Sequence, residues 1–376
     1  MSANNLPSVT VDIFTKIVEQ QFKEKNFRPI FGLGKGGIGK TESIMDLAKN
    51  KLHIGYIDIR LLLYNEVDLK GIPYPNAEHT RTVWLQNNIL PTVERDGDTG
   101  ILVFDEITSC SRSVRTAAYQ LLNERRLGEY VLPDNWMVVC LGNGEEDGGD
   151  YQGMEGNFVN RCSVFNVVTS VDSWKLWATE HDVDTLVTAF VSFKPTDLHT
   201  YKPDSETDML FASPRSWKAV SDILRKNTFD ENDEVLLNRI IANVGQQVGQ
   251  EFLAFVKFKD KAVDPMDIVA KGQMPKISQR EIIFILIQGI VKIVGDEIIK
   301  DLETMQALRQ ETLVHTANGL RWILSLDKKE YAIMGFKDLQ SYRNSSSIRR
   351  VLANKALHQI CPEIMQFAVA NAEILK

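Results

Sequence analysis

The chain has little cysteine, little histidine and no surplus of positive charge, and each shortage closes off a class of function. Its 376 residues include four cysteines, Cys110, Cys140, Cys162 and Cys361. No two stand at Cys-x-x-Cys spacing and none lies in a run with histidine, which excludes a zinc ribbon or a disulfide framework. Buried free thiols in a reducing compartment are expected instead. The six histidines, His53, His79, His181, His199, His315 and His358, are scattered without relay partners at useful spacing. No His-Glu-x-x-His motif is present, so a peptidase of that type is excluded. Lys and Arg number 43 against 50 Asp and Glu, a formal net charge of -7. That balance speaks against wholesale nucleic-acid binding, and no dense basic stripe appears. Lys257, Lys259 and Lys261 alternate with other residues, and Lys328-Lys329 is an isolated pair; both read as solvated faces. The longest apolar run, Ile282 to Val294, contains Gln288, Gly289 and Lys292 and is too short for a bilayer. It reads as a buried helix. Met1 to Thr10 is polar and lacks the basic start and apolar centre of a secretory signal. A cytoplasmic protein without a membrane partner is expected.

What is present is an ordinary globular composition, 44% hydrophobic and 25% charged, in a chain long enough for two or three domains. Val11, Phe14, Ile17, Val18 and Phe22 predict an amphipathic helix over Val9–Lys25. Short apolar runs predict strands at Pro29–Leu33, Ile54–Ile59, Gly100–Phe104, Met137–Leu141 and Val164–Val168. Helical patterns lie between them, at Glu42–Lys49, Thr82–Glu94 and Ser113–Asn123. Alternating strands and helices predict a parallel α/β sheet covered on both faces. After about Ser170 only helices are expected, at Asp172–Thr179, Asp184–Phe193, Pro214–Arg225, Glu234–Lys257, Gln279–Leu302 and much of Ile348–Leu375. The expected division is an α/β nucleotide-binding core over 1–170 and a helical lid with a C-terminal helical extension over 171–376. Gly142–Gly156, rich in Gly, Asp and Glu, reads as a loop.

Gly34-Lys35-Gly36-Gly37-Ile38-Gly39-Lys40-Thr41 matches G-x-x-x-x-G-K-[ST] between a predicted strand and a predicted helix. Glycines let backbone N–H groups turn inward around phosphates. The helix start, reaching to Glu42, adds positive potential there. Lys40 supplies a charge for the β- and γ-phosphates, and the Thr41 hydroxyl faces Mg²⁺. Downstream, Ile101-Leu102-Val103-Phe104-Asp105-Glu106 delivers two carboxylates to the C-terminal edge of the sheet, where open α/β folds bind ligands. Asp105 is placed to hold Mg²⁺, directly or through water, and Glu106 to polarise an attacking water. The pair of motifs points to binding and hydrolysis of Mg-ATP.

With those motifs in place the chain resembles the AAA+ ATPases, and within them the MoxR-like, dynein-related branch of bacterial or phage type. The resemblance runs from about Phe31 to Ile223. It includes Asp58-Ile59-Arg60, then Asp68 to Pro73. It also includes Ala117 to Leu122 followed by Arg125 to Pro133, like the helix and hairpin before that branch's sensor strand. Leu141-Gly142-Asn143 looks like the end of the sensor-1 strand. Asn160-Arg161 fits the arginine-finger position, and Ala212 to Trp217 looks like the start of the sensor-2 helix. The resemblance implies that Asn143 bonds the attacking water or the γ-phosphate. It implies that Arg215 reports nucleotide state to the lid, and that Arg161 acts on the neighbouring subunit's nucleotide. Arg112, Arg125 and Arg126 also lie near the expected interface. Trans-acting arginines require a seam between subunits, and head-to-tail contacts close into rings; the resemblance implies a hexamer.

Val244 to Phe255 resembles a segment of MoxR-like ATPases often encoded beside proteins with a von Willebrand A or metallopeptidase-like domain, which suggests the kind of protein client. An ATP-driven remodeller of a protein partner is the leading reading. A nucleic-acid motor or restriction-type NTPase subunit, and an ATP-gated assembly scaffold with little turnover, are the alternatives.

Overall fold

The computed structural model describes residues 6–85, 88–144, 160–202, 210–226, 230, 233–305, 307–344 and 346–374. Most of the expected 142–156 loop lies outside them. The chain divides into two compact units, one of residues 1–170 with 202–205, the other of 171–201 with 206–376.

The first unit is built on a parallel six-stranded sheet. Its strands are β1 (Ser8–Thr10), β2 (Ile30–Leu33), β3 (Gly55–Arg60), β6 (Thr99–Asp105), β9 (Asn135–Gly142) and β10 (Ser163–Val168), in the order β1-β10-β2-β9-β6-β3. Period-two alternation of wholly apolar strands explains why both faces are covered. Leu102, Phe104, Val138 and Cys140 face one core, with Val114, Ala118 and Leu121 of helix α5 (Arg112–Glu124). Ile101, Val103, Met137, Val139 and Leu141 face the other, with Phe14 and Val18 of α1 (Val11–Lys23) and Ile44 of α2 (Lys40–Asp46). The consequence for function is positional. The strand before the glycine loop and the strand before the acid pair are separated by β9, so the three strand ends converge on one edge.

Three expectations are corrected in this unit. Val9–Lys25 is not all helix: Ser8–Thr10 pairs in parallel with β10, and the helix starts at Val11. The helix after the glycine loop changes to π-helical winding at Leu47–Leu52. Thr82–Glu94 is not a helix. Thr82–Leu85 (β5) pairs antiparallel with Ile72–Pro75 (β4), and among the described residues of this stretch the helix is Val93–Asp96 (α4), capped by the Thr92 hydroxyl. Thr-Val-Trp is strand-prone chemistry. The Asn76 side chain also closes the turn by accepting the Thr80 and Arg81 amides. The expected hairpin after α5 is present, Arg126–Leu127 (β7) against Tyr130–Val131 (β8), turning at Gly128 with φ +61°.

The second unit is helical, with no strand among its described residues. Its centre is the helix Arg280–Met305. Ile282 through Ile287 are all buried, as are Ile290, Val291, Val294 and Ile298, so the apolar run seen in the sequence is the hub of the core. The expected helix over Glu234–Lys257 is two helices, Glu234–Val244 and Gln246–Val256. Gly245 separates them in a left-handed conformation, φ +86°, with the Leu210 carbonyl where a side chain would start. The C-terminal stretch is likewise three short helices, Ser346–Leu352, Lys355–Ile360 and Glu363–Ala370. No helix among the described residues is long and apolar enough to cross a membrane.

Candidate nucleotide site

The glycine loop leaves the end of β2 and re-enters helix at Lys40. Two of its residues must be glycine for different reasons. Gly39 caps α2 at φ +94°, a conformation that strains any L side chain. Gly34 lies so close to β10 that a Cβ would sit 2.2 Å from the Val167 carbonyl oxygen. Gly37 also has positive φ, +75°, whereas Gly36 faces open space. Ile38 is buried in the core beneath the loop, so its part is to anchor the backbone. Lys35 and Glu42 are exposed.

Lys40 is 6% exposed, and its ammonium donates to the carbonyls of Gly34 (2.6 Å) and Lys35 (2.8 Å). The charge is thus parked against the loop that would hold phosphates. The Thr41 hydroxyl donates to Asp105 Oδ2 at 2.8 Å, joining the first turn of α2 to the end of β6. Asp105 Oδ1 accepts the Glu106 amide at 2.8 Å. A hydroxyl and a buried carboxylate meeting at one point are hard oxygen donors of the kind Mg²⁺ takes. Thr41 and Asp105 fit that ion.

Glu106 has a left-handed backbone, φ +56°, which turns the chain sharply after β6. A non-glycine residue there is uncommon, and such strain gathers at functional sites. Its carboxylate lies 3.7 Å from Arg60 Nε, on the end of β3. Asp58, two residues earlier on β3, has its pKa pushed up to about 6 by desolvation first and then by the charge of Asp105, against the pull of Arg60. The sequence marks Asp58 and Arg60 only as part of a resembling segment. Their roles beside the acid pair come from the register Arg60↔Asp105, which spacing along the chain does not reveal.

Asn143 follows β9 and is half-buried, its amide donating to the Thr108 hydroxyl at 3.1 Å. Arg161 is exposed, in the turn before β10. That turn is held by Arg28, whose guanidinium donates to the carbonyls of Asn160 (2.8 Å) and Cys162 (3.3 Å). Arg125 is committed within its own chain: it donates to the carbonyls of Pro133, Asp134 and Trp136. It is therefore not free to act on a neighbour. Arg126 and Arg112 are exposed. Arg215 belongs to the second unit, exposed in the first turn of the helix Pro214–Lys226. That helix is capped by Ser213, whose hydroxyl accepts the Ser216 amide.

Within the first unit, then, the structure brings Gly34–Thr41, Asp105, Glu106 and Asn143 to neighbouring strand ends. Fold and site together have the form of a P-loop fold, with a glycine loop between β2 and α2 and a hydroxyl and an acid pair at the ends of neighbouring strands. No family model matches the chain, and no curated protein matches it. Among solved structures it is similar to a candidate ATPase from Cytophaga hutchinsonii, at 11% identity and a TM-score of 0.33, over 66% of this chain and 81% of that one. It is similar to a RuvB point mutant from Thermotoga maritima, at 10% identity and a TM-score of 0.36, over 82% and 87%. It is also similar to Hsp104 with ATPγS and casein, at 13% identity and a TM-score of 0.36, over 68% of this chain and 46% of that one. Likenesses this distant carry no argument; the P-loop form rests on the strand order and the site.

Proposed function

We propose that the chain is an ATPase of the AAA+ type, of the MoxR-like branch, which hydrolyses Mg-ATP as a ring and remodels or activates a protein partner. The observation that carries this reading is the 2.8 Å bond from the Thr41 hydroxyl to Asp105, with Glu106 next in the chain. It joins the phosphate loop to an acid pair at the point where metal and water would be needed.

Each residue has a separate task. The loop amides and Lys40 hold the phosphates, and the lysine exchanges its two carbonyls for phosphate oxygens. Thr41 and Asp105 hold Mg²⁺, which when bound neutralises charge on the phosphate oxygens. Glu106 orients and polarises the attacking water, and Asn143 bonds that water or the γ-phosphate. Arg161 is proposed as the finger acting in trans; Arg125, by contrast, is occupied by carbonyls of its own chain. Arg215 would couple nucleotide state to the helical unit. A hexameric ring and a client with a von Willebrand A or metallopeptidase-like domain are proposed on the resemblance alone. The contact of Glu106 with Arg60 supports a low basal rate that a partner raises, which keeps the low-turnover scaffold as the second reading.

The test is Glu106→Gln. It should retain Mg-ATP binding by calorimetry and lose about 10²–10⁴-fold of phosphate release. Unchanged release would remove the assignment.

A further inference from the structure

The end of β9 carries Asn143, and three hydrogen bonds fix that end. The Gly34 amide donates to the Gly142 carbonyl and the Ile107 amide to the Leu141 carbonyl, each at 3.1 Å. The Asn143 amide donates to the Thr108 hydroxyl, also at 3.1 Å. The first two are backbone to backbone. The third depends on one side chain, and that side chain is two residues beyond Glu106.

Thr108 has no exposed surface. Its methyl and hydroxyl fill the space over Gly142, where a Cβ would come within 2.7 Å of Cγ2 and 2.8 Å of Oγ1. The left-handed turn at Glu106, closed by the Ser109 amide on the Glu106 carbonyl at 3.0 Å, folds residues 107 and 108 back against β9. A valine would fill the same volume and leave the Asn143 amide without its acceptor. The shape alone therefore does not explain the threonine; the oxygen does.

We propose that Thr108 is a positioning residue for the hydrolytic step: its buried hydroxyl ties the Asn143 peptide to the turn that carries Glu106. The two groups that handle the attacking water then move as one piece. This role rests on the hydrolytic reading above. Geometry errors of this kind cost rate more than they cost ground-state binding.

The experiment compares Thr108→Val, Thr108→Ser, Asn143→Ala and the Thr108→Val/Asn143→Ala double variant in the full chain. Steady-state phosphate release, Mg-ATP affinity by calorimetry and thermal melts are measured for each. Thr108→Val should lower kcat about tenfold to a hundredfold with little change in Mg-ATP affinity, because only the placement of the water-handling groups is lost. Thr108→Ser, which keeps the oxygen, should restore most of the rate. Thr108→Val should slow the Asn143→Ala chain by less than it slows the unsubstituted chain, since part of its effect passes through the Asn143 side chain. The proposal is overturned by a wild-type rate in Thr108→Val, by equal losses in Val and Ser, or by losses that multiply in the double variant. A Thr108→Val chain that no longer melts cooperatively overturns it too, by making Thr108 a folding residue. Failure of the hydrolytic reading looks different: the unsubstituted chain itself then binds or turns over no Mg-ATP.

Discussion

Arg60 and Glu106 meet across the β3–β6 pair, with Nε 3.7 Å from Oε1. Arg60 is 51% exposed, so the pair contributes only about 0–1 kcal/mol to stability. Its effect is on where the Glu106 carboxylate rests. Arg60→Ala releases that carboxylate, and basal phosphate release is expected to rise about twofold to fivefold, the range such a pair can supply. Mg-ATP affinity should stay the same. A fall in rate would show that Arg60 supports the reaction instead of restraining it.

Asp105→Asn keeps an oxygen that can accept from Thr41 but removes the charge. The magnesium-dependent gain in ATP affinity should shrink about tenfold or more, as expected for a bond to an ionised group. Affinity measured in chelator should barely change. Calorimetry with and without magnesium separates the two, and an equal loss in both conditions would place Asp105 outside the metal site.

Gly34 and Gly36 stand two residues apart in the same motif with opposite tolerances. An added Cβ at Gly34 runs into the Val167 carbonyl, whereas one at Gly36 meets nothing within 4 Å. Gly34→Ala is expected to cost about 1–3 kcal/mol of stability, the usual range for overpacking. Gly36→Ala should leave the urea midpoint of nucleotide-free protein nearly unchanged. Equal midpoints for the two variants would contradict the packing of the loop against β10.

All four thiols are buried and free. Burial pushes Cys162 up to about 12, and burial together with Glu363 pushes Cys361 up to about 11. Iodoacetamide at pH 8 should label none of the four in native protein and all four in urea, because the thiolate is the reactive form. The ordinary thiol value is 9.0, so between there and about 12 the folded state holds protons that the unfolded state has lost. The stability tied to these groups is complete below pH 9 and declines as pH rises toward 12. Rapid native labelling of Cys162 would refute its placement.

The candidate site could be proposed from the sequence because its signals are local. Gly34 to Thr41 and Ile101 to Glu106 each hold strand, turn and chemistry in a few residues, and the α/β alternation orders them on one edge. Arg60 and Thr108 were not legible as site residues, because their relation to Glu106 and Asn143 is set by strand register and by a left-handed turn. The same reason explains Thr82–Leu85. Its spacing suits a helix, but pairing with Ile72–Pro75 and the Asn76 turn decide for a hairpin. Gly245 shows the converse: one residue in a long apolar pattern ends a helix by its positive φ, and the Leu210 carbonyl beside it leaves no room for a side chain.

The ammonium of Lys40 fastens its own loop through the carbonyls of Gly34 and Lys35. Truncating it therefore does two things: it deletes a phosphate contact and unlatches the loop before any ligand arrives. A weak-binding Lys40→Ala chain would report both losses together. The acid-pair and Thr41 substitutions are the cleaner instruments for separating grip from chemistry.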